Sequence, residues 1–206
     1  ALIAVLIGGA VEMIPTFLVK SNIPTIASVK PYTPLELQGR DIYVSEGCYN
    51  CHSQMVRPFR SETERYGEYS KAGEYVYDHP FQWGSKRTGP DLHRVGGKYP
   101  DAWHFNHMAD PTSMSPGSLM PPYPWLAEDQ LDNSSLPAKI RVMQTLGVPY
   151  PDGYDQLALS DLQKQADSIA AGLKVSRIEI AADREIIALI AYLQRLGRDI
   201  KAQSQK

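Results

Sequence analysis

The residues with the clearest chemistry are two cysteines and a histidine in the run Cys48-Tyr49-Asn50-Cys51-His52. Cys-x-x-Cys-His is the attachment motif of c-type haem. Each thiol adds across one vinyl group of the porphyrin, so the two sulfurs must reach neighbouring edges of one ring. The adjacent histidine then lies under the iron as its proximal ligand. Because the chain has only 2 cysteines, a chance match is improbable. The motif predicts one covalently bound haem c.

Three other uses of the two cysteines are open on spacing alone. Cys-x-x-Cys can be half of a zinc site, with His104 and His107 as the other half. That His-x-x-His spacing is shorter than usual, and the zinc site leaves His52 without a role. A redox-active dithiol would need a βαβ setting, whereas strand patterns are scarce in this chain. A structural disulfide is the third alternative, and the adjacent histidine favours haem over all of them.

A haem with histidine and methionine ligands is typical of an electron carrier, so the second axial ligand matters. Met120 is the methionine we select, because the prolines after it hold an extended loop in which Tyr123 and Trp125 can line the haem. The other methionines have less favourable contexts: Met13, Met55, Met108, Met114 and Met143. A histidine ligand is the alternative, from His79, His93, His104 or His107.

Haem propionates need cationic or hydrogen-bonding neighbours when they are partly buried. Arg57 and Arg87 lie near the haem-binding stretches in sequence and are the candidates we select. Arg60 and Arg94 are further candidates.

Amphipathic helices are predicted to position the motif. One runs from about residue 35 to 46 and ends just before Cys48, and the clearest one spans 183–196 and stops at Gly197. Two more are predicted near 136–146 and 161–171, the second opening at Ser160 with a Ser-x-x-Gln capping box. A protein that only holds a haem does not need these two helices or the long segment after His52. We therefore interpret them as docking surfaces, or else as solvated excursions of the chain.

The first 19 residues are almost wholly apolar, and at about 1.5 Å per residue they approach the thickness of a bilayer core. They lack the charged start and the cleavage site of a secretory signal. We therefore predict one transmembrane helix over residues 1–20 and an extended linker over 21–33, and we expect further residues before Ala1. Glu12 inside the span should face protein or water. The net charge of −2, without a basic run, argues against nucleic acid as a partner.

Several motifs resemble those of class I cytochromes c. The first helix has Gly39 and Tyr43, and the last reads Ala-Leu-Ile-Ala-Tyr-Leu-Gln-Arg-Leu-Gly. The resemblance implies that these two helices cross, with Gly39 and Tyr43 against Tyr192 and Leu193.

A second family feature is the run Thr88-Gly89-Pro90-Asp91-Leu92, which resembles the Gly-Pro-x-Leu loop of that family. It implies that the Pro90 carbonyl accepts the ring N–H of the proximal histidine and that Leu92 packs on the haem.

The whole set of motifs is more specific. The apolar N-terminus, the stretch from residue 46 to 58, the loop from 87 to 92 and Met120-Pro-Pro-Tyr-Pro-Trp-Leu together resemble the monohaem subunit II of the cbb3-type cytochrome c oxidases. The resemblance implies a mainly α, class I cytochrome c-like domain with long loop and helix insertions over residues 34–206. That domain would lie in the periplasm, tethered to the bacterial inner membrane by one helix with a cytoplasmic N-terminus.

The family resemblance also implies a function. The subunit would relay electrons from a dihaem cytochrome c subunit or a soluble cytochrome c to the haem b of the catalytic haem–copper subunit, without being an enzyme on its own. Membrane lipid would be a further contact. Three alternatives stay open: the haem c subunit of nitric oxide reductase, a peroxidase-like cytochrome with an open iron site, and a membrane-tethered zinc-binding interaction protein.

Overall fold

The structure, a computed structural model, describes residues 1–19, 24–84 and 86–204. In these ranges the chain is helical and forms no strand, although Gln130 and Arg184 pair in an isolated β-bridge. The mainly α prediction is confirmed. The helices are α1 (Leu2–Leu18), α2 (Pro34–Ser45), α3 (Arg60–Tyr66), α4 (Asp101–Ala109), α5 (Pro111–Met114), α6 (Leu136–Thr145), α7 (Tyr154–Val175), α8 (Glu185–Arg195) and α9 (Arg198–Ser204). Short 3-10 turns cover Cys48–Asn50, Ala72–Tyr75 and Pro124–Ala127.

Helix α2 begins and ends with strong local signals, and it leads directly into the haem motif. Thr33 caps its first turn in a reciprocal capping box with Glu36, and Pro34 takes the first helical position. After Ser45 the chain turns through Gly47, whose φ of +67° is strained for any residue with a side chain. The 3-10 turn that begins at Cys48 follows directly.

The crossing of α2 and α8 is the centre of the core. A Cβ atom at Gly39 would lie 1.9 Å from the Ala188 carbonyl oxygen and 2.9 Å from the Tyr192 Cβ, so only glycine allows the two helices to approach this closely. The rings of Tyr43 and Tyr192 meet edge-on with centroids 5.5 Å apart. Leu193 is buried in the same core. The crossing implied by the class I resemblance is therefore present.

Helices α6 and α7 pack together on α2, and one of their predicted boundaries is wrong. The prediction for 136–146 is confirmed by α6. However, α7 runs from Tyr154 to Val175, far beyond the predicted 161–171, so Ser160 lies inside the helix and caps nothing. Buried residues lie four or seven positions apart on one face of α7, and this apolar stripe outweighs the local capping signal. They are Ala158, Leu162, Ala166 and Leu173.

The apolar N-terminal segment forms α1, which is 17 residues long. Among the described residues, no helix combines the length and the apolar character needed to cross a bilayer. The transmembrane span over residues 1–20 is not confirmed, and its last residue, Lys20, lies outside the described ranges. The linker prediction also falls partly outside them, at 21–23, and residues 24–33 contain no helix.

Candidate haem site

The haem motif forms a tight turn at the end of α2. The N–H groups of Cys51 and His52 both donate to the Cys48 carbonyl, at 3.2 and 2.9 Å. The two cysteines are free thiols, Cys48 half-buried and Cys51 exposed, so the disulfide alternative is not formed. Burial, and then the charge of Glu46, raises the pKa of Cys48 to about 12. Both cysteines therefore belong to a single hydrogen-bonded turn, with His52 directly after them.

The His52 ring has a fixed orientation. Its Nδ1 lies 2.8 Å from the Pro90 carbonyl oxygen. A carbonyl oxygen can only accept, so Nδ1 carries the hydrogen and Nε2 keeps its lone pair for a metal. Burial lowers the pKa of His52, against the Pro90 hydrogen bond and the charge of Asp91, which raise it. The ring is thus held as a neutral tautomer whose Nε2 is available to a metal, and the contact implied for Pro90 is present.

Gly89 makes room for that ring. A Cβ atom at this position would lie 2.3 Å from His52 Cε1 and 2.8 Å from Nδ1. The loop from 88 to 92, which we call the proximal loop, is also hydrogen-bonded to the motif through its backbone. Gly89 N–H donates to the Cys51 carbonyl at 2.9 Å, and Leu92 N–H donates to the Ser53 carbonyl at 2.8 Å. The cradle around His52 and the free thiols fit a covalently attached haem.

Gln54 fixes the chain immediately beyond the motif. Its side-chain amide pairs with the Tyr192 hydroxyl of α8 at 3.0 Å, its N–H donates to the Trp83 carbonyl at 2.7 Å, and its own carbonyl accepts from the Tyr75 hydroxyl at 2.7 Å. The residue is 1% exposed. The segment between the motif and the proximal loop therefore folds back against the motif, where it packs with α8.

The Met120 loop, which we define as residues 118–126, approaches the same turn. Met120 is half-buried and packs against the core, while Tyr123 N–H donates to the Met108 carbonyl of α4 at 2.8 Å. Trp125 Nε1–H donates to Glu46 at 3.2 Å, and its ring meets that of Tyr123 edge-on. Burial, then the charges of Cys48, Cys51 and Glu46, raises the pKa of Tyr123. The fold thus brings the predicted aromatic lining beside both cysteines.

The two arginines selected for the propionates share one partner. Arg87 forms an ion pair with Glu62 at 2.7 Å, and Arg57 pairs with the same carboxylate. The hydrogen bond from Arg87 is the main cause that lowers the pKa of Glu62 to about 2. A propionate role for Arg57 or Arg87 stays a prediction, as does the packing of half-buried Leu92 on the haem.

The alternative histidines differ in their surroundings. His93 is 5% exposed, and its Nδ1 lies 2.9 Å from the Tyr75 hydroxyl. His104 and His107 lie on α4, where the His107 ring stacks on Trp103. Burial lowers the pKa of His104 to about 4. In the described part of the chain, no three His, Cys, Asp or Glu side chains form a metal-binding cluster, so the zinc alternative has no donor set there.

Sequence reasoning missed three buried polar residues of the site: Gln54, Glu62 and Asp91. Asp91 stands inside a recognised loop, so its position next to Pro90 could have marked it. Gln54 gives no such signal, because its burial depends on Tyr192, which is 138 residues away.

The comparison with known families gives one result for nearly the whole chain. The family model described as "Cytochrome C oxidase, mono-heme subunit/FixO" matches residues 1–200. No curated protein matches the chain significantly.

Proposed function

The chain belongs to the cytochrome c oxidase mono-haem subunit/FixO family, and from this premise we propose that it is the electron-relay subunit of a cbb3-type terminal oxidase. It takes electrons from a dihaem cytochrome c subunit or a soluble cytochrome c and passes them to the haem b of the catalytic haem–copper subunit. Oxygen chemistry belongs to that catalytic subunit. The family match favours this role over the haem c subunit of nitric oxide reductase.

One observation carries the proposal: His52 follows the cysteine turn directly and is held by the Pro90 carbonyl at 2.8 Å with Nε2 left for iron. Cys48 and Cys51 would hold the haem covalently, and His52 and Met120 would be the residues that ligate its iron. When bound, the haem supplies a one-electron carrier whose methionine ligand raises the potential. The protein's own part is to fix the His52 ring and to keep water from its buried side.

Electron relay also requires that the site stay rigid when its charge changes. Gln54 and the proximal loop meet this requirement, since they connect the motif to α8 and to the buried core through short hydrogen bonds. Cys51 is exposed, so the covalently held edge of the haem would be accessible to a partner protein.

The ligand pair is tested with reduced-minus-oxidised visible spectra and the near-infrared methionine-to-iron band. We expect a c-type spectrum in the full chain, with the near-infrared band lost in Met120→Ala and kept in Met114→Ala, a methionine of similar burial. Retention of the band in Met120→Ala would move the sixth ligand elsewhere and reopen the peroxidase-like alternative. Absence of any haem spectrum in matured protein would remove the proposal.

We also propose that α1 anchors the chain in the bacterial inner membrane, with residues 34–206 in the periplasm and the N-terminus in the cytoplasm. The apolar side chains of α1 are exposed, with Leu2 and Ile3 each at 73% and Val5 at 71%. Such a surface favours an apolar surrounding. We expect Val5→Arg to release the chain from membranes during alkaline extraction in cells without the partner subunits. Val142→Arg, at an exposed valine of α6, should stay bound, and equal behaviour of the two variants would contradict the anchor.

A further inference from the structure

Directly behind the haem motif lies a carboxylate that is shielded from water. The Asp91 side chain has 0% of its surface exposed. It accepts hydrogen bonds from the Ser53 hydroxyl at 2.6 Å, from Met55 N–H at 2.8 Å and from His93 N–H at 2.9 Å. Three donors of this kind offset the cost of burying a carboxylate. The site therefore contains a fixed negative charge on its proximal side.

Arg87 stands beside that carboxylate and shares its contacts. A terminal guanidinium nitrogen lies 3.6 Å from Asp91 Oδ2. Arg87 Nε donates to the Ser53 hydroxyl at 2.7 Å, and the terminal nitrogen donates to the Met55 carbonyl at 2.9 Å. Both charges thus hold the same two residues, Ser53 and Met55, which follow His52 in the chain. Glu62 lies on the far side of Arg87, at 2.7 Å.

The two charges are connected to His52 in two separate ways, through the proximal loop and through Ser53. Asp91 follows Pro90, whose carbonyl holds the His52 ring, and Ser53 follows His52 itself. A displacement of either charge would therefore move the ring as well as change the electrostatic field around it. Residues that hydrogen-bond to the neighbours of a metal-ligating histidine set both the orientation of its ring and its strength as a ligand.

We propose that Asp91 and Arg87 form an opposed charge pair that positions His52 and sets the reduction potential of the haem. The proposal rests on the electron-relay function above. Reduction adds one electron from the donor protein and lowers the positive charge of the site by one. A negative charge at Asp91 favours the oxidised form, and the positive charge of Arg87 favours the reduced form. Asp91 and Arg87 act through Ser53, Met55 and the proximal loop and are not proposed as iron ligands, so both are positioning residues.

The test is a spectroelectrochemical titration of the haem-loaded full chain in detergent. We expect Asp91→Asn to raise the midpoint potential and Arg87→Gln to lower it. A substitution that merely loosened the site would admit water, favour the more highly charged oxidised form and lower the potential in both variants. A raised potential in Asp91→Asn therefore distinguishes the loss of a charge from a structural disturbance. Arg141→Gln is the control, because Arg141 forms an ion pair on α6 with its side chain 58% exposed, and its potential should equal that of the wild type.

If Asp91→Asn does not incorporate haem, the variants Arg87→Lys and Arg87→Gln still test the charge pair. Arg87→Lys keeps the charge and loses the forked hydrogen bonds, so it should stay close to the wild-type potential while Arg87→Gln falls below it. Equal potentials in these two variants, or an unchanged or lowered potential in Asp91→Asn, would overturn the charge pair. A c-type spectrum in every variant without these shifts would leave electron relay standing, whereas a wild type without a c-type spectrum would remove the relay function itself.

Discussion

Replacing Gly89 by alanine should disturb the proximal ligand without touching the cysteines. The added Cβ would lie 2.3 Å from His52 Cε1, whereas carbon atoms in contact are about 3.5–4.0 Å apart. The ring or the loop must therefore move by more than about 1 Å, and such overpacking costs about 1–3 kcal/mol. Because the same ring is held by the 2.8 Å hydrogen bond to Pro90, we expect that bond to lengthen or break.

Two measurements on the matured full chain in detergent check this expectation. Covalent haem should remain, since Cys48 and Cys51 are unchanged, but the spectrum should show a mixture of spin states from weakened axial ligation. Denaturant unfolding should give a free energy of unfolding about 1–3 kcal/mol below that of the wild type. Gly172→Ala is the control, because a Cβ there meets nothing within 4 Å. A Gly89→Ala protein with the wild-type spectrum and stability would refute the close fit of the cradle.

The remaining predictions concern the elements behind the site, and each is measured by denaturant unfolding. Gly39→Ala should cost about 3 kcal/mol or more, because its Cβ would meet the opposing backbone at 1.9 Å; Gly172→Ala should leave the protein as stable or slightly stabilise it. Thr33→Ala should cost about 0.5–2 kcal/mol by removing the cap of α2. Glu62→Gln should cost about 1–3 kcal/mol at pH 7. The folded-state pKa of Glu62 is lowered to about 2, chiefly by Arg87, so its stabilisation is complete above about pH 4.5 and is lost toward pH 2. The variant and the wild type should therefore converge as the pH falls. A constant difference across that range would contradict the ion pair.

The parts of the fold that sequence reasoning predicted are those set by local chemistry. The cysteine turn depends on residues within a few positions of one another, and the bounds of α6 depend on a single apolar stripe. The glycine at the helix crossing meets residues about 150 positions away, and it was predicted only through the resemblance to class I cytochromes c. The start of α7 was wrong because Ser160 offers a capping signal that the longer apolar stripe overrides. No local pattern could have placed Gln54 against Tyr192, since this pair forms only once α2 and α8 have crossed.

The long segment after His52 shows the same limit of sequence reasoning, because part of it has a structural role that its composition does not reveal. Its charge and tyrosine content suggested a docking surface or a solvated excursion, and the docking surface stays a prediction, since Phe59 and Phe81 in the segment are exposed. Two other residues of the segment are buried, however: Tyr75 is 4% exposed and Glu62 is 6% exposed. Tyr75 donates to the Gln54 carbonyl and Glu62 holds Arg87, so both satisfy polar groups of the chain behind His52. Backbone groups buried without such partners would destabilise the fold by about 1–3 kcal/mol each. A small cytochrome could leave this side to solvent. Here Tyr75 supplies a fixed hydrogen-bond donor and Glu62 a fixed charge in place of water, which supports the rigid surroundings that the proposed electron relay requires.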